Sequence, residues 1–463
     1  MTVNAGARLD RLPMSRFHRR IMWLIGIGMF FDGFDIYVAS TVLGATLHSG
    51  FSTLPDNARF VSMTFLGMTI GAFGTGFLGD RFGRRFTYQA NLMVFGLASL
   101  ASAFAPSMGF LIACRFVMGI GLGAENVVGY ATLTEFVPPS ARGRQQGIMA
   151  VFVVTGLPVS ALAGLALVPL LGWRVMFVLG GLGAIAVWYV RKQLPESPRW
   201  LAATGRDEEA EALLQTIEAE VAAEHGPLPP ASAVPARRFS RAVGSLLATG
   251  MLPRVVVGCL LLIVINTLLY GFITWLPTFF VSQGMTIAKS FAFAFVMSLG
   301  APIGSAIGAL TADRWGRKKV IVTASLATIV FGAIYPFASN PALLMVTGVL
   351  LVIPIYVLVA LLFGIYVPEL FPTEIRLRAS GICNTFGRGA TIATPYVVVW
   401  LFARHGVTGV LAFMIVLLVV QIVAVAAWGI ETRGRPLEDV AASHLALLPA
   451  GSAPAAPATP VNP

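Results

Sequence analysis

Charge is scarce in this sequence. Only 11% of its 463 residues are Asp, Glu, Lys or Arg, against about 25% in an ordinary soluble domain. Cysteine is scarcer still. Cys114, Cys259 and Cys383 form an odd set in apolar stretches, so neither a disulfide framework nor metal-ligand spacing is present. No His/Cys cluster, phosphate-binding Gly-Lys loop or nucleophile elbow occurs. Those absences argue against an enzyme, against a metal or other cofactor, and against ATP hydrolysis.

Apolar residues fill the space: 57% of the chain, with 32 Phe against 9 Tyr and a mean hydropathy of +0.81. An apolar run begins at Ile21 and continues to about residue 47. It is too long for the core of a signal peptide and carries two aspartates, so it reads as a first spanning helix. Further runs lie near 58–79, 86–104, 108–133, 145–168, 173–191, 254–281, 289–311, 319–338, 341–366, 378–402 and 407–430. The reading is an all-α membrane protein of twelve spanning helices.

The net charge of +11 would suggest nucleic acid in a soluble chain, but its distribution points to a bilayer. With the N-terminus inside, the cytoplasmic segments collect Arg8, Arg11, Arg16, Arg19, Arg20, Arg81, Arg84, Arg85, Arg142, Arg144, the basic residues of 191–254, Arg314, Arg317, Lys318, Lys319, Arg376, Arg378, Arg433 and Arg435. The outer loops hold only Arg59, Arg174, Lys289 and Arg404. This asymmetry predicts two cytoplasmic termini. The segments are then a cytoplasmic tail (1–15), a first six-helix bundle (16–192), a linker (193–252), a second bundle (253–431) and a disordered tail (432–463). The linker is acidic and Ala-rich over Asp207 to Glu224 and then Pro-rich, which reads as a surface helix followed by an irregular stretch.

The bundles repeat one another. Gly-Asp80-Arg81-Phe-Gly-Arg84-Arg85 returns as Ala-Asp313-Arg314-Trp-Gly-Arg317-Lys318, and an offset of 234 residues relates Glu135 to Glu369, Arg142 to Arg376 and Gly147 to Gly381. Two parallel halves are a transporter architecture.

On these residues the chain resembles the major facilitator superfamily over roughly 16–435, which implies two pseudo-symmetric six-helix bundles working by alternating access. Asp32-Gly-Phe-Asp35 resembles the aromatic acid:proton symporters. Arg115, the Gly119/Gly121/Gly123 ladder with Glu125, Glu135 and Arg142-Gly143, Pro195-Glu-Ser-Pro-Arg-Trp200 and Gly387-Arg388 are similar to the nicotinate-type and sugar-porter-like metabolite symporters.

Asp32 and Asp35 share a helix face near mid-membrane. An intramembrane carboxyl must be paired, hydrated or protonated, so both are candidates for proton coupling, as is Glu125. Arg115 is a candidate partner of Asp35, or of substrate. Asn126 could donate to substrate. The glycines before it are small residues for close helix packing. Arg388 has no acid within a turn of its own helix, with Asn384, Thr385, Thr391 and Thr394 nearby. A guanidinium can hold a carboxylate in a bidentate fork. Phe34, Tyr37, Asn266, Tyr270, Trp275, Tyr356 and Tyr366 would line an aromatic path suited to a flat acid. The repeated loops, with Asp80, Arg81, Arg84, Arg85, Glu135, Arg142, Asp313, Arg314, Arg317, Glu369 and Arg376, read as latches that pair across the bundle interface when the cytoplasmic side is closed. The expectation is proton-coupled uptake of a small aromatic or heteroaromatic monocarboxylate, with protons and the bilayer as the other partners and a monomer as the working unit. Proton-driven export of drugs or metabolites, a sugar porter and a membrane sensor are the alternatives.

Overall fold

The computed structural model describes residues 4–231, 251–338, 340–371 and 376–432. Among them all regular structure is helical. Nine helices among the described residues are long and apolar enough to cross a membrane. One of these, Arg376–Trp428, is two helices joined across a bend at Gly406, where φ is +62°. The long helices Leu54–Phe82 and Arg84–Ala103 are not among the nine. Each of the twelve apolar runs of the sequence lies on one of these helices, so the spans keep those numbers here.

Local chemistry sets the ends. Thr53 and Asp56 form a capping box at the start of span 2, and Ser107, Thr286 and Asn340 accept from the third backbone N–H of spans 4, 8 and 10. Such caps satisfy donors that a helix start leaves free. Span 7 breaks at Gly271–Leu276, just before Pro277. Span 10 widens into a π-turn over Leu362–Tyr366 ahead of Pro368, which has no N–H for the regular ladder.

The glycine ladder of span 4 packs against span 2. A Cβ at Gly119 would lie 2.3 Å from the Thr64 carbonyl oxygen, and one at Gly123 2.0 Å from that of Met68. Gly71 returns the relation, 1.9 Å from the Ile120 oxygen. No side chain fits, and the two backbones touch.

The halves meet toward the end away from the Arg-rich loops. Span 1 packs on the second part of span 7, span 5 on span 8 and span 2 on span 11. A Cβ at Gly44 would lie 3.1 Å from Pro277, and the Ser62 hydroxyl donates to the Ile392 carbonyl at 2.8 Å. At the Arg-rich end, a short helix Ala5–Asp10 and a linker helix Asp207–His225 lie together. Leu214, Ile217 and Val221 join the apolar cluster of Leu9, Phe17 and Phe136.

Candidate functional site

The repeated loop explains its own glycine. Gly83 and Gly316 both have φ of +89°, the left-handed region that disfavours any other residue. Each turn releases the next helix with bare N–H groups, and a carboxylate receives them. Glu196 accepts from Arg84 N at 2.9 Å and Arg85 N at 3.2 Å. In the second half Glu431 accepts from Arg317 N at 2.9 Å and Lys318 N at 3.1 Å. A carboxylate at a helix N-terminus is favoured by both the hydrogen bonds and the dipole. Glu196 and Glu431 are thus members of the repeat that its loop motif does not contain. Arg84 pairs with Glu135 at 2.8 Å and Arg317 with Glu369 at 3.1 Å. Both pairs lie inside one half rather than across the interface. Arg142 instead reaches Asp10, at 2.7 Å, and Arg81 and Arg314 are exposed. The side chains of Asp80, Asp313 and Arg376 lie outside those described.

Deeper in, the first half holds a set of buried ions. Asp32, Asp35, Glu125, Arg115 and Arg191 are each at most 1% exposed. Arg115 donates to Asp35 at 2.7 Å and to the Thr64 hydroxyl at 3.3 Å, and its guanidinium stands 4.9 Å from the Phe60 ring. The pairing expected of Asp35 and Arg115 is therefore present.

Arg191 corrects the sequence reading. Its position after span 6 placed it among the loop cations, but it is buried and salt-bridged to Glu125. It also donates to the Leu24 carbonyl at 2.8 Å and the Ile25 carbonyl at 2.7 Å, over the Tyr88 ring. Gly28 makes the room, since a Cβ there would lie 1.9 Å from its Nη2. Among the described residues, neither oxygen of Asp32 has a hydrogen-bond partner.

The second half differs. Its spans contain no Asp or Glu between Arg254 and Ala312, Arg314 and Pro368, or Arg376 and Ile430. Half-buried Arg388 accordingly forms no ion pair among the described residues. Tyr270 stands close enough to interact with its charge. A Cβ at neighbouring Gly387 would lie 2.9 Å from the Asn266 amide nitrogen, so Asn266 stands beside this turn of span 11. Tyr270 packs on Phe65 across the interface, ring centroids 4.3 Å apart. The hydroxyls of Tyr37 and Tyr356 are 3.0 Å apart, also across the interface.

The other aromatic candidates separate. Trp275 is fully buried and stacked on Phe279, a core position. The Tyr366 hydroxyl accepts from Ile430 N at 3.1 Å, at the Arg-rich end and away from the centre. Phe34 packs among Phe30 and Phe31. Asn384 donates to its own helix at Ser380, and the Asn126 side chain is outside those described. A small cleft lies between the halves, with Tyr37, Ser40, Thr41, Ser160, Phe291 and Ser298 in its wall. It does not include Arg388.

Against this geometry, the sequence pattern of the family described as "Sugar (and other) transporter" matches residues 22–443. The inner membrane metabolite transport protein YdjE of Escherichia coli is 37% identical over 94% of this chain and 98% of its own. The niacin transporter NiaP of Acinetobacter baylyi is 32% identical over 94% and 99%. Among solved structures, the xylose transporter XylE of E. coli in a partially occluded inward-open conformation matches with a TM-score of 0.72, covering 91% of this chain and all of that one at 17% identity.

Proposed function

Since the chain belongs to the sugar (and other) transporter family, a family of membrane transporters within the major facilitator fold, we propose that it takes up a small aromatic or heteroaromatic monocarboxylate together with protons. The observation that carries this reading is Arg388, a half-buried cation of span 11 whose own half offers no carboxylate within its apolar runs. A substrate carboxylate supplies the missing charge, held by the guanidinium fork. Tyr270, Tyr356 and Tyr37 provide flat apolar walls with polar tips, and Asn266 a neutral donor or acceptor. The relative named for niacin supports this class, because niacin is a pyridine monocarboxylate. A sugar would be met by hydroxyls and amides and would leave Arg388 unpaired.

In this reading Asp35 and Arg115 are a gating pair and Asp32 carries the coupling proton. The repeated loops, with Asp80 and Asp313, stabilise one end state. The monomer works in a bacterial inner membrane with both termini in the cytoplasm. Asp32→Asn then abolishes pH-driven accumulation and retains exchange at equal pH.

The deciding experiment is a thermal-shift screen of the purified protein against aromatic acids, sugars and cationic drugs, because specific binding stabilises the folded state. Stabilisation by acids that is lost in Arg388→Lys supports the proposal. Stabilisation by sugars alone, or by acids equally in both proteins, overturns it.

A further inference from the structure

Among the described residues the buried ions of the first half do not balance: three carboxyls, Asp32, Asp35 and Glu125, face two guanidinium groups, Arg115 and Arg191. Arg115 is committed to Asp35 and Arg191 to Glu125. We infer that Arg191 decides which carboxyl carries the coupling proton, holding Glu125 as the ion and leaving Asp32 as the acid. This inference deepens the proton-coupled reading above and rests on it.

Arg191 spends Nε on the Leu24 carbonyl, Nη2 on the Ile25 carbonyl and Nη1 on Glu125. Its plane is pinned by the Tyr88 ring and by the close approach of Gly28. Swinging to Asp32 would strand two buried carbonyls and the Glu125 ion. Asp32 itself has two buried oxygens without a hydrogen bond. The charged groups that face it are Glu125 from span 4, Arg191 from the end of span 6 and Asp35 on its own helix. Two are carboxylates, and the one cation is already taken. An isolated carboxylate here would bear the full desolvation cost of a buried ion, whereas the neutral acid bears only that of a polar group. The low-energy state of this arrangement therefore has one proton on Asp32 and none on Glu125. Proton transfer is the addition of H⁺ to the Asp32 carboxylate from water on one side and its return to water on the other. Arg191 touches neither the proton nor the substrate and is a positioning residue. It also begins the segment that leaves the first bundle for the linker. A movement there that loosens the Arg191–Glu125 pair would free a counter-charge for Asp32 and release its proton.

The test reads the proton directly. The full-length protein, purified in detergent without substrate, is followed by infrared difference spectroscopy between mildly acidic and alkaline pH, where a protonated carboxyl has its own carbonyl stretch. Wild type is expected to show one such band at neutral pH, absent in Asp32→Asn. In Glu125→Gln the pinned Arg191 loses its ion partner, its unbalanced charge favours the Asp32 carboxylate, and the band disappears at neutral pH as well. In Arg191→Gln a second band appears, because Glu125 loses its counter-ion. Persistence of the band in Asp32→Asn or in Glu125→Gln overturns the assignment, as does a folded Arg191→Gln without the added band. Should Arg191→Gln fail to fold, the two carboxyl variants decide alone. No substrate enters these measurements, so their failure leaves the Arg388 binding test standing, and the failure of that test leaves these intact.

Discussion

The halves share one fold and one loop motif, yet their interiors carry opposite chemistry. Among the described residues, the first half buries three carboxyls and two arginines. The second places Arg388 among spans without a single Asp or Glu. Repetition has kept what builds the bundle: the left-handed glycines Gly83 and Gly316, the Arg84–Glu135 and Arg317–Glu369 pairs, and the capping carboxylates Glu196 and Glu431. It has not kept what lies along the path. Scaffold positions answer to backbone geometry, which is the same in both copies. In the proposed function, path positions answer to cargo, and a proton and an anion need opposite partners.

The largest expected effect is on stability, and it separates the halves. Asp35→Asn strands the buried Arg115 charge and should cost about 3–5 kcal/mol, as for one partner removed from a buried pair. Thermal unfolding of the purified protein checks it, and adding Arg115→Met should recover much of the loss. Arg388→Met is expected to leave the melting temperature unchanged or higher, since it strands no described partner. If Arg388→Met melted as low as Asp35→Asn, the contrast between the interiors would fail.

The next effect concerns binding. Arg388→Lys keeps the charge and loses the planar fork, so apparent affinity for a monocarboxylate should fall at least about tenfold, or ~1.4 kcal/mol. Arg115→Lys is expected to act through stability instead.

The repeat itself is tested by Glu196→Gln and Glu431→Gln. Each weakens a carboxylate cap on the first N–H groups of the following span and should cost about 1 kcal/mol. Equal losses in thermal unfolding would match their equivalent geometry. A loss at one site alone would show that only that half relies on its cap.

The smallest effect belongs to the clasp between N-terminal segment and linker helix, which has no counterpart in the second half among the described residues. Arg8 bonds Glu218 at 2.6 Å and Glu211 at 2.5 Å, and Arg11 also reaches Glu218. Hydrogen bonds from Arg8 hold both glutamates below the usual carboxylate range. A depressed folded value means the stabilisation is complete above the ordinary glutamate pKa. It is lost as pH falls from that value through the depressed one. Glu218→Gln should therefore cost about 0.2–1 kcal/mol at neutral pH, less in high salt, and nothing measurable once the solution is acid enough to protonate Glu218. Protease sensitivity of the linker against pH and salt measures it.

The long apolar runs, the order of basic loops and the constant offset between halves were all legible in the chain. Each is a local or additive property: a bilayer selects helices by summed hydropathy, and positive-inside charge by counting. The pairing of Asp35 with Arg115 was within reach because both stand in spans expected to line one cavity. Arg191 was not. One step beyond an apolar run, it looks like any loop cation, and nothing local reveals that Gly28 has cleared a slot for it against span 1. Trp275 and Tyr366 failed in the opposite sense, since helical spacing puts an aromatic on a span without saying which face meets the path.

What the sequence determined by itself is the class, the repeat and the inventory of interior charge, including the shortage of acids beside Arg388. What only the tertiary structure decided is who holds whom. Arg115 takes Asp35, Arg191 takes Glu125 and the loop arginines pair within their own halves, while Asp32 is left over. The physical reason is that composition fixes how many charges enter a medium of low dielectric, but their energies fall off over a few ångströms. A pairing is therefore settled by the close approach of helices distant in sequence, here where glycines without side chains let spans 1, 4 and 6 converge.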